Sequence, residues 1–269
     1  MPRSELSQRV VSGLILASFS LIYIFYASEL PFVLIACFIG LIGTYEFGRA
    51  GIGRGLPLHQ AGLYLNHLLS FSALWFYFYG DEQQSKLFIY ALLGSILAGP
   101  VLAKGKFISG VIWQLVALIW VTLPIYIITL LRFEDERGSL LILFVILTAA
   151  FNDIFAYFGG KKFGKHKLAA AISPNKTIEG SLFGYLGGLM VGILMGGYYL
   201  ELFPWPTLIL VTLILVFSAQ VGDLIESKFK RYCGIKDTGN ILPGHGGILD
   251  RFDAYLTSLP TFWLILHFF

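Results

Sequence analysis

Nine stretches of this 269-residue chain are so apolar, over such lengths, that water is the wrong solvent for them. They lie near residues 10–27, 30–47, 61–80, 87–103, 107–131, 140–158, 181–200, 205–226 and 248–269. A membrane-spanning helix needs roughly 20 mostly apolar residues, and each window approaches or exceeds that length. The expected fold is therefore all-α: a polytopic integral membrane protein of about nine transmembrane helices. Composition agrees, since 57% of residues are hydrophobic and only 13% charged, which excludes an ordinary soluble domain. The first window follows Arg3 and Arg9 as a signal peptide would. No small-residue cleavage site precedes Glu29-Leu30-Pro31, however, and another apolar window follows at once, so it reads as a mature helix.

Charge sets the orientation. With the N-terminus cytoplasmic, the inner side collects Arg3, Arg9, Arg49, Arg54, Lys104, Lys106, Lys161, Lys162, Lys165, Lys167, Lys176, Lys228, Lys230, Arg231, Lys236 and Arg251, leaving only Lys86, Arg132 and Arg137 outside. Sixteen against three is a strong positive-inside bias that depends on the parity of the spans, so it supports both orientation and count. The outer loops are acidic, at Asp81-Glu82 and Glu134-Asp135-Glu136. Residues 1–139 read as an N-terminal region of about five spans, and 140–269 as a catalytic region of about four with two basic cytoplasmic loops. Cys37 and Cys233 lie far apart with no Cys or His at ligand spacing, so neither a disulfide framework nor a zinc site is supported. Gly180, Gly184, Gly188, Gly192 and Gly196 bare one face of the seventh span. Such a face admits another helix closely, inside the bundle or across a homodimer interface.

Ionisable groups inside spans are costly and mark polar cavities. Ten of the thirty-one residues from Asp223 to Asp253 are charged, a concentration that demands a reason. Glu46, Asp153 and Asp223 stand near the cytoplasmic ends of inward-running spans, and Asp250 and Asp253 near the start of the last, outward one. Asp223, Glu226 and Ser227 are spaced i, i+3, i+4, and Asp250 and Asp253 i, i+3, so each set can share a helix face. Carboxylates crowded into one cavity repel unless a cation sits among them, and an all-oxygen site suits Mg²⁺. The expected metal ligands are Asp223 and Asp250, brought face to face by a short connection, with Asp253 and Asp153. The other reading of these acids is simple pairing with loop Lys and Arg.

The loops supply the opposite charge. Residues 159–180 combine Lys161, Lys162, Lys165, Lys167 and Lys176 with glycines, and the next loop adds Lys228, Lys230, Arg231 and Lys236. This suits polyphosphate, although topogenic charge and contact with anionic lipid headgroups are the alternatives. Ser173 or Thr177 is placed to cap the seventh helix. Gly159 to Lys165 fits the first seven positions of a Walker A loop, but His166 replaces the hydroxyl residue and a spanning helix precedes it, so that reading fails. His245, between glycines, contacts substrate or holds its loop; His59, His67 and His267 read as structural.

Ser227-Lys228-Phe229-Lys230-Arg231, Lys236-Asp237-Thr238-Gly239 and Leu242-Pro243-Gly244-His245-Gly246-Gly247-Ile248-Leu249-Asp250-Arg251-Phe252-Asp253 together resemble the signature of the phosphatidate cytidylyltransferases, the CDP-diacylglycerol synthases. Asn152-Asp153, Ala156-Tyr157, Gly159, Phe163-Gly164-Lys165 and Ser173-Pro174 through Lys176-Thr177 to Glu179-Gly180 are similar as well, while Asn175 and Ile178 replace the family's more frequent Lys and Trp. The likeness covers about the last 120 residues; the first 140 match only as a series of spans. It implies that CTP and phosphatidic acid give CDP-diacylglycerol and pyrophosphate, with Mg²⁺, at the cytoplasmic face of a prokaryotic inner membrane. It implies Asp223, Asp250, Lys236 and His245 as catalytic. Substrate-binding would fall to Ser173, Lys176, Thr177, Ser227, Lys230, Arg231, Asp237, Gly246, Gly247 and Arg251. The partners are then CTP, phosphatidic acid and membrane lipid, with no nucleic acid.

The residues agree with that chemistry. The second pKa of a phosphate monoester is about 6, so the acceptor is largely ionised near neutral pH and needs no strong protein base. No GxSxG, HExxH or paired catalytic His is present. An ion-coupled transporter would show paired half-sequences, whereas the polar residues here crowd into one half; a nucleotide-dependent membrane lipid kinase is the nearer rival. The expected topology is checked by cysteine labelling of intact cells. Gln83→Cys should react with an impermeant maleimide from outside, and Lys162→Cys only after the inner face is exposed.

Overall fold

The computed structural model describes residues 3–80, 82–102, 106–241 and 246–268, and among these each apolar window before the last falls on one helix. The helices are α1 (Arg3–Tyr26), α2 (Glu29–Gly53), α3 (Gln60–Phe78), α4 (Glu82–Leu102), α5 (Phe107–Glu134), α6 (Gly138–Phe163), α7 (Ile178–Tyr199), α8 (Trp205–Cys233), a single turn α9 (Leu249–Phe252) and α10 (Tyr255–Phe268). Six of them, α2, α4, α5, α6, α7 and α8, are long and apolar enough to cross a membrane. α3 has the length but is diluted by Asn66, His67 and Ser70, α10 has only 14 residues, and the apolar part of α1 described is Ala17–Tyr26. The protein is thus a helical integral membrane protein.

Two helices contain π-helical segments, Leu118–Thr122 in α5 and Gly192–Tyr199 in α7. The first stops just before Pro124, which has no amide to return to the preceding turn; widening that turn accommodates the missing bond.

Two local features depart from the expected all-α bundle. Residues Lys167–Ala169 (β1) and Ser173–Thr177 (β2) form an antiparallel hairpin in the loop between α6 and α7, pairing Lys167 with Thr177 and Ala169 with Ser173. Pro174 fits there because a two-stranded hairpin leaves one edge of each strand unpaired. The last window is not one helix. It breaks at Asp253-Ala254, where Asp253 Oδ1 accepts the Ala254 amide at 2.8 Å, a side chain competing for a backbone donor. Asp250 and Asp253 therefore do not share one continuous helix face.

The chain packs as two units, Met1–Leu130 with Tyr232–Arg251, and Leu131–Arg231 with Phe252–Phe269. In the first unit, buried Asn66 donates to Gln114 Oε1 at 2.8 Å, and buried His67 meets Thr122 Oγ1 and the Cys37 carbonyl at 3.0 Å each. These bonds use up the polar groups of α3 inside the packing, consistent with the structural reading of His67. Arg54 closes the C-terminal end of α2 onto the returning chain, its Nε donating to the Tyr232 carbonyl at 2.9 Å. Cys37 and Cys233 are both free thiols.

In the second unit the glycine stripe is consumed by α6 and α8. A Cβ on Gly180 would meet the Ala156 carbonyl, one on Gly184 the Asn152 and Gln220 amides, one on Gly188 the Val216 side chain, and one on Gly192 Thr212. The face is covered within the unit, so any homodimer uses another surface. Lipid offers no hydrophobic drive between helices, and close backbone approach takes its place. Gly188→Leu should overpack this seam and cost about 1–3 kcal/mol, read as a lower melting temperature of the detergent-solubilised protein. Ile193→Ala, on a more exposed part of α7, should melt near the parent.

Candidate active site

In the second unit, α6, β2 and α8 deliver polar groups to one cavity of about 400 Å³, within the range of small-molecule sites. α6 supplies Asn152, Asp153, Tyr157 and Lys161, the hairpin supplies Asn175, Lys176 and Thr177, and α8 supplies Gln220 and Asp223. The Lys176 ammonium is ion-paired with Asp223 Oδ2, and Ser227, one turn along α8, donates to Asp223 Oδ1 at 3.3 Å. Asn152 binds both ways: its Nδ2 donates to Asp153 Oδ1 at 2.9 Å while its Oδ1 accepts from Gln220 Nε2 at 2.7 Å. Gln220 Nε2 also reaches the Ser181 carbonyl at 3.2 Å, tying α6, α7 and α8 together beneath the carboxylates.

Thr177 is the N-cap of α7, its Oγ1 accepting the Gly180 amide at 3.1 Å, and both residues line the cavity. A long helix thus starts at the cavity wall, an arrangement that favours anions. Glu179 holds the hairpin to this helix, accepting the amides of Lys165 and His166 at 3.0 and 3.2 Å and pairing with His166 Nδ1 at 2.6 Å. Ser173 lies in β2. Gly159 and Gly160 are inside α6, which agrees with rejecting a Walker A loop.

Two carboxylates, Asp153 and Asp223, line the cavity beside Lys161 and Lys176. Asp223 repels both Asp153 and Asp253, which also repel one another, while Lys176 attracts Asp153 and Lys230 attracts Asp253. Lys230 bonds in addition to Glu226 at 3.2 Å, and Glu226 is buried, so this acid of the Asp223 set turns to a lysine. Among the described residues no three His, Cys, Asp or Glu side chains gather closely enough to cage a metal ion. Mg²⁺ does not require such a cage, being held commonly by one or two carboxylates, waters and substrate phosphates. The donor set fits it: three mutually repelling carboxylates, one of them already facing a cation in Lys176.

The first unit holds the other signature residues. Asp250 is buried, and its Oδ2 accepts the Thr238 amide at 2.8 Å, the Thr238 hydroxyl at 2.9 Å and the Gly247 amide at 2.9 Å. Its visible work is to hold the loop. Asp237 lines a polar cavity of about 250 Å³ with Arg49, Thr238, Gly239 and Asn240. Lys236 and Arg251 are exposed, as is Arg231 in the second unit, and Gly246 takes a φ of 82° that a side chain would resist. His245 lies outside the described residues.

A model of the cytidylyltransferase family matches residues 7–269. The chain belongs to that family. The phosphatidate cytidylyltransferase of Bacillus subtilis (strain 168) is 32% identical over 272 residues, spanning 98% of this chain and 99% of the relative. That of Staphylococcus haemolyticus (strain JCSC1435) is 50% identical over 126 residues, 46% of this chain and 48% of its own, and that of Staphylococcus epidermidis (strain ATCC 12228) 48% over 132 residues, 49% and 50%.

For a cytidylyltransferase, the sequence left Gln220 unremarked and gave Asn152 and Thr238 no role. The available signal was an amide in the middle of an apolar run, which a membrane tolerates only with partners. Asp223→Asn should lower cytidylyl transfer by about 100-fold, with the protein still eluting as a folded species in detergent. Lys176→Gln should also impair transfer while leaving the hairpin in place, as judged by protease resistance.

Proposed function

We propose that this protein is a phosphatidate cytidylyltransferase of the bacterial membrane, moving the CMP moiety of CTP onto phosphatidic acid to give CDP-diacylglycerol and pyrophosphate. The full-length similarity to the Bacillus subtilis enzyme carries the reading. The cavity of Asp153, Lys176, Asp223 and the start of α7 supplies chemistry of the right kind. A lipid kinase and an ion-coupled transporter are not favoured by any relative found.

The ionised phosphate oxygen of phosphatidic acid attacks the α-phosphorus of CTP. The new P–O bond forms as the bond from that phosphorus to the bridging oxygen breaks, and pyrophosphate leaves with the electron pair. No proton need be removed from the acceptor, so the residues position and neutralise. The Lys176 ammonium and the first-turn amides of α7 take phosphate oxygens, and Ser227 and Asn152 keep Asp223 and Asp153 oriented. Mg²⁺, held by Asp223 with Asp153 or Asp253, would supply charge neutralisation on the phosphates. Lys236 and His245 are proposed, on the family motif alone, to contact phosphate. The acyl chains stay in lipid while the headgroup meets the nucleotide. Nine spans, with α1, α3 and the α9–α10 segment added to the six long apolar helices, and a cytoplasmic site complete the proposal; the charge asymmetry supports both.

Purified protein in mixed micelles, given CTP, Mg²⁺ and labelled phosphatidic acid, should release labelled CDP-diacylglycerol and pyrophosphate in equal amounts. Nucleotide-dependent phosphorylation of a lipid, with no liponucleotide formed, would overturn the reading.

A further inference from the structure

Glu46 has no part in the transfer chemistry described above, yet it is 1% exposed near the inner end of α2. Among the described residues its carboxylate meets hydrogen-bond donors. Oε1 accepts the Ile248 amide at 3.0 Å, and Oε2 accepts the Leu249 amide at 2.9 Å and lies 3.1 Å from the Thr238 hydroxyl, whose single proton it shares with Asp250. Glu46 thus holds the entry to α9 from outside the loop, while Asp250 holds Thr238 and Gly247 from within it. Thr238 stands between the two carboxylates.

The glycines of the motif fit the same arrangement. A Cβ on Gly239 or on Gly247 would run into the Glu46 carboxylate, so both must be bare for the loop to close around it. The pattern Thr238-Gly239, then Gly247-Ile248-Leu249-Asp250, is therefore shaped to wrap a carboxylate brought from about 190 residues earlier in the chain. Thr238 and Gly239, the residues so held, also line the cavity that Arg49, Asp237 and Asn240 share with Ala50, Gly53, Cys233 and Ile235. The Arg49 guanidinium there can meet a phosphate, and Asp237 and Asn240 can hydrogen-bond a nucleoside.

We propose that Glu46 is a positioning residue for the nucleotide: its buried carboxylate sets Thr238 and Gly239 in the form that CTP binds. The proposal rests on the assignment of cytidylyl transfer. Glu46→Gln keeps the shape but turns an amino group toward amide donors. Losing one charge-assisted bond in this way should raise KM for CTP about tenfold, with KM for phosphatidic acid and the rate at saturating CTP within about twofold of the parent, by the same estimate of one lost bond. Glu46→Asp, which keeps the charge at shorter reach, should fall between the two. A readout independent of activity is maleimide labelling of Asn240→Cys, on a Cys37→Ala, Cys233→Ala background. Labelling should quicken about tenfold when Glu46→Gln is added, since the loop loses the same bond.

Parent-like KM for CTP in Glu46→Gln, or an equal loss for both substrates, overturns the proposal. So does unchanged labelling. Should the Gln variant not accumulate, Glu46→Asp is read by the same two measurements against the same outcomes. Failure of the parent to make CDP-diacylglycerol would instead overturn the functional assignment, and the labelling result stands apart from it.

Discussion

A carboxylate taken out of water must face hydrogen-bond donors or a cation, because leaving it unpaired costs several kcal/mol. Both units answer this demand, with different chemistry. In the first, Glu46 and Asp250 face backbone amides and the Thr238 hydroxyl, donors fixed by the fold. In the second, Asp223 faces the ammonium of Lys176 and Asp153 a carboxamide, while Asp223 repels Asp253. A backbone amide cannot leave. An ammonium on a flexible stem can be displaced by a divalent cation or turn to a phosphate, so the second arrangement suits reaction and the first suits scaffolding.

The helices around the reactive cavity are placed by what they lack. Glycine every fourth residue lets α7 approach α6 and α8 until backbone and amide groups touch. That proximity brings Asn152, Ser181 and Gln220 within hydrogen-bonding distance, and brings the Thr177 cap and Lys176 to the cavity that Asp223 lines. Larger residues would separate the three helices and with them the charges. The polar chain beneath the carboxylates and the bare seam are thus one device, packing that also sets electrostatics.

Much of the architecture was legible because lipid leaves few choices. Each apolar window before the last falls on a single helix, and the polarity of Asp153, Lys176 and Asp223 marked the cavity they line. The hairpin Lys167–Thr177 was not legible, since its strands are short, polar and half exposed and carry no period-two pattern. Nor was the break at Asp253, where a helical spacing loses to a side chain that takes the next amide. Glu226 looked like a companion of Asp223 by spacing, but its buried carboxylate pairs with Lys230.

The sequence by itself determined the helical membrane class, the uneven distribution of positive charge and the family, because apolar length, charge and a long motif are properties of residues in order. Only tertiary structure decided that the glycine face of α7 is covered by α6 and α8, and that Asp250 holds Thr238 and Gly247. It also decided that Glu46, about 190 residues upstream, completes the loop whose glycines the motif contains. The physical reason is that a carboxylate's role depends on which donors surround it in space, and spacing along the chain reports that only for neighbours on one helix.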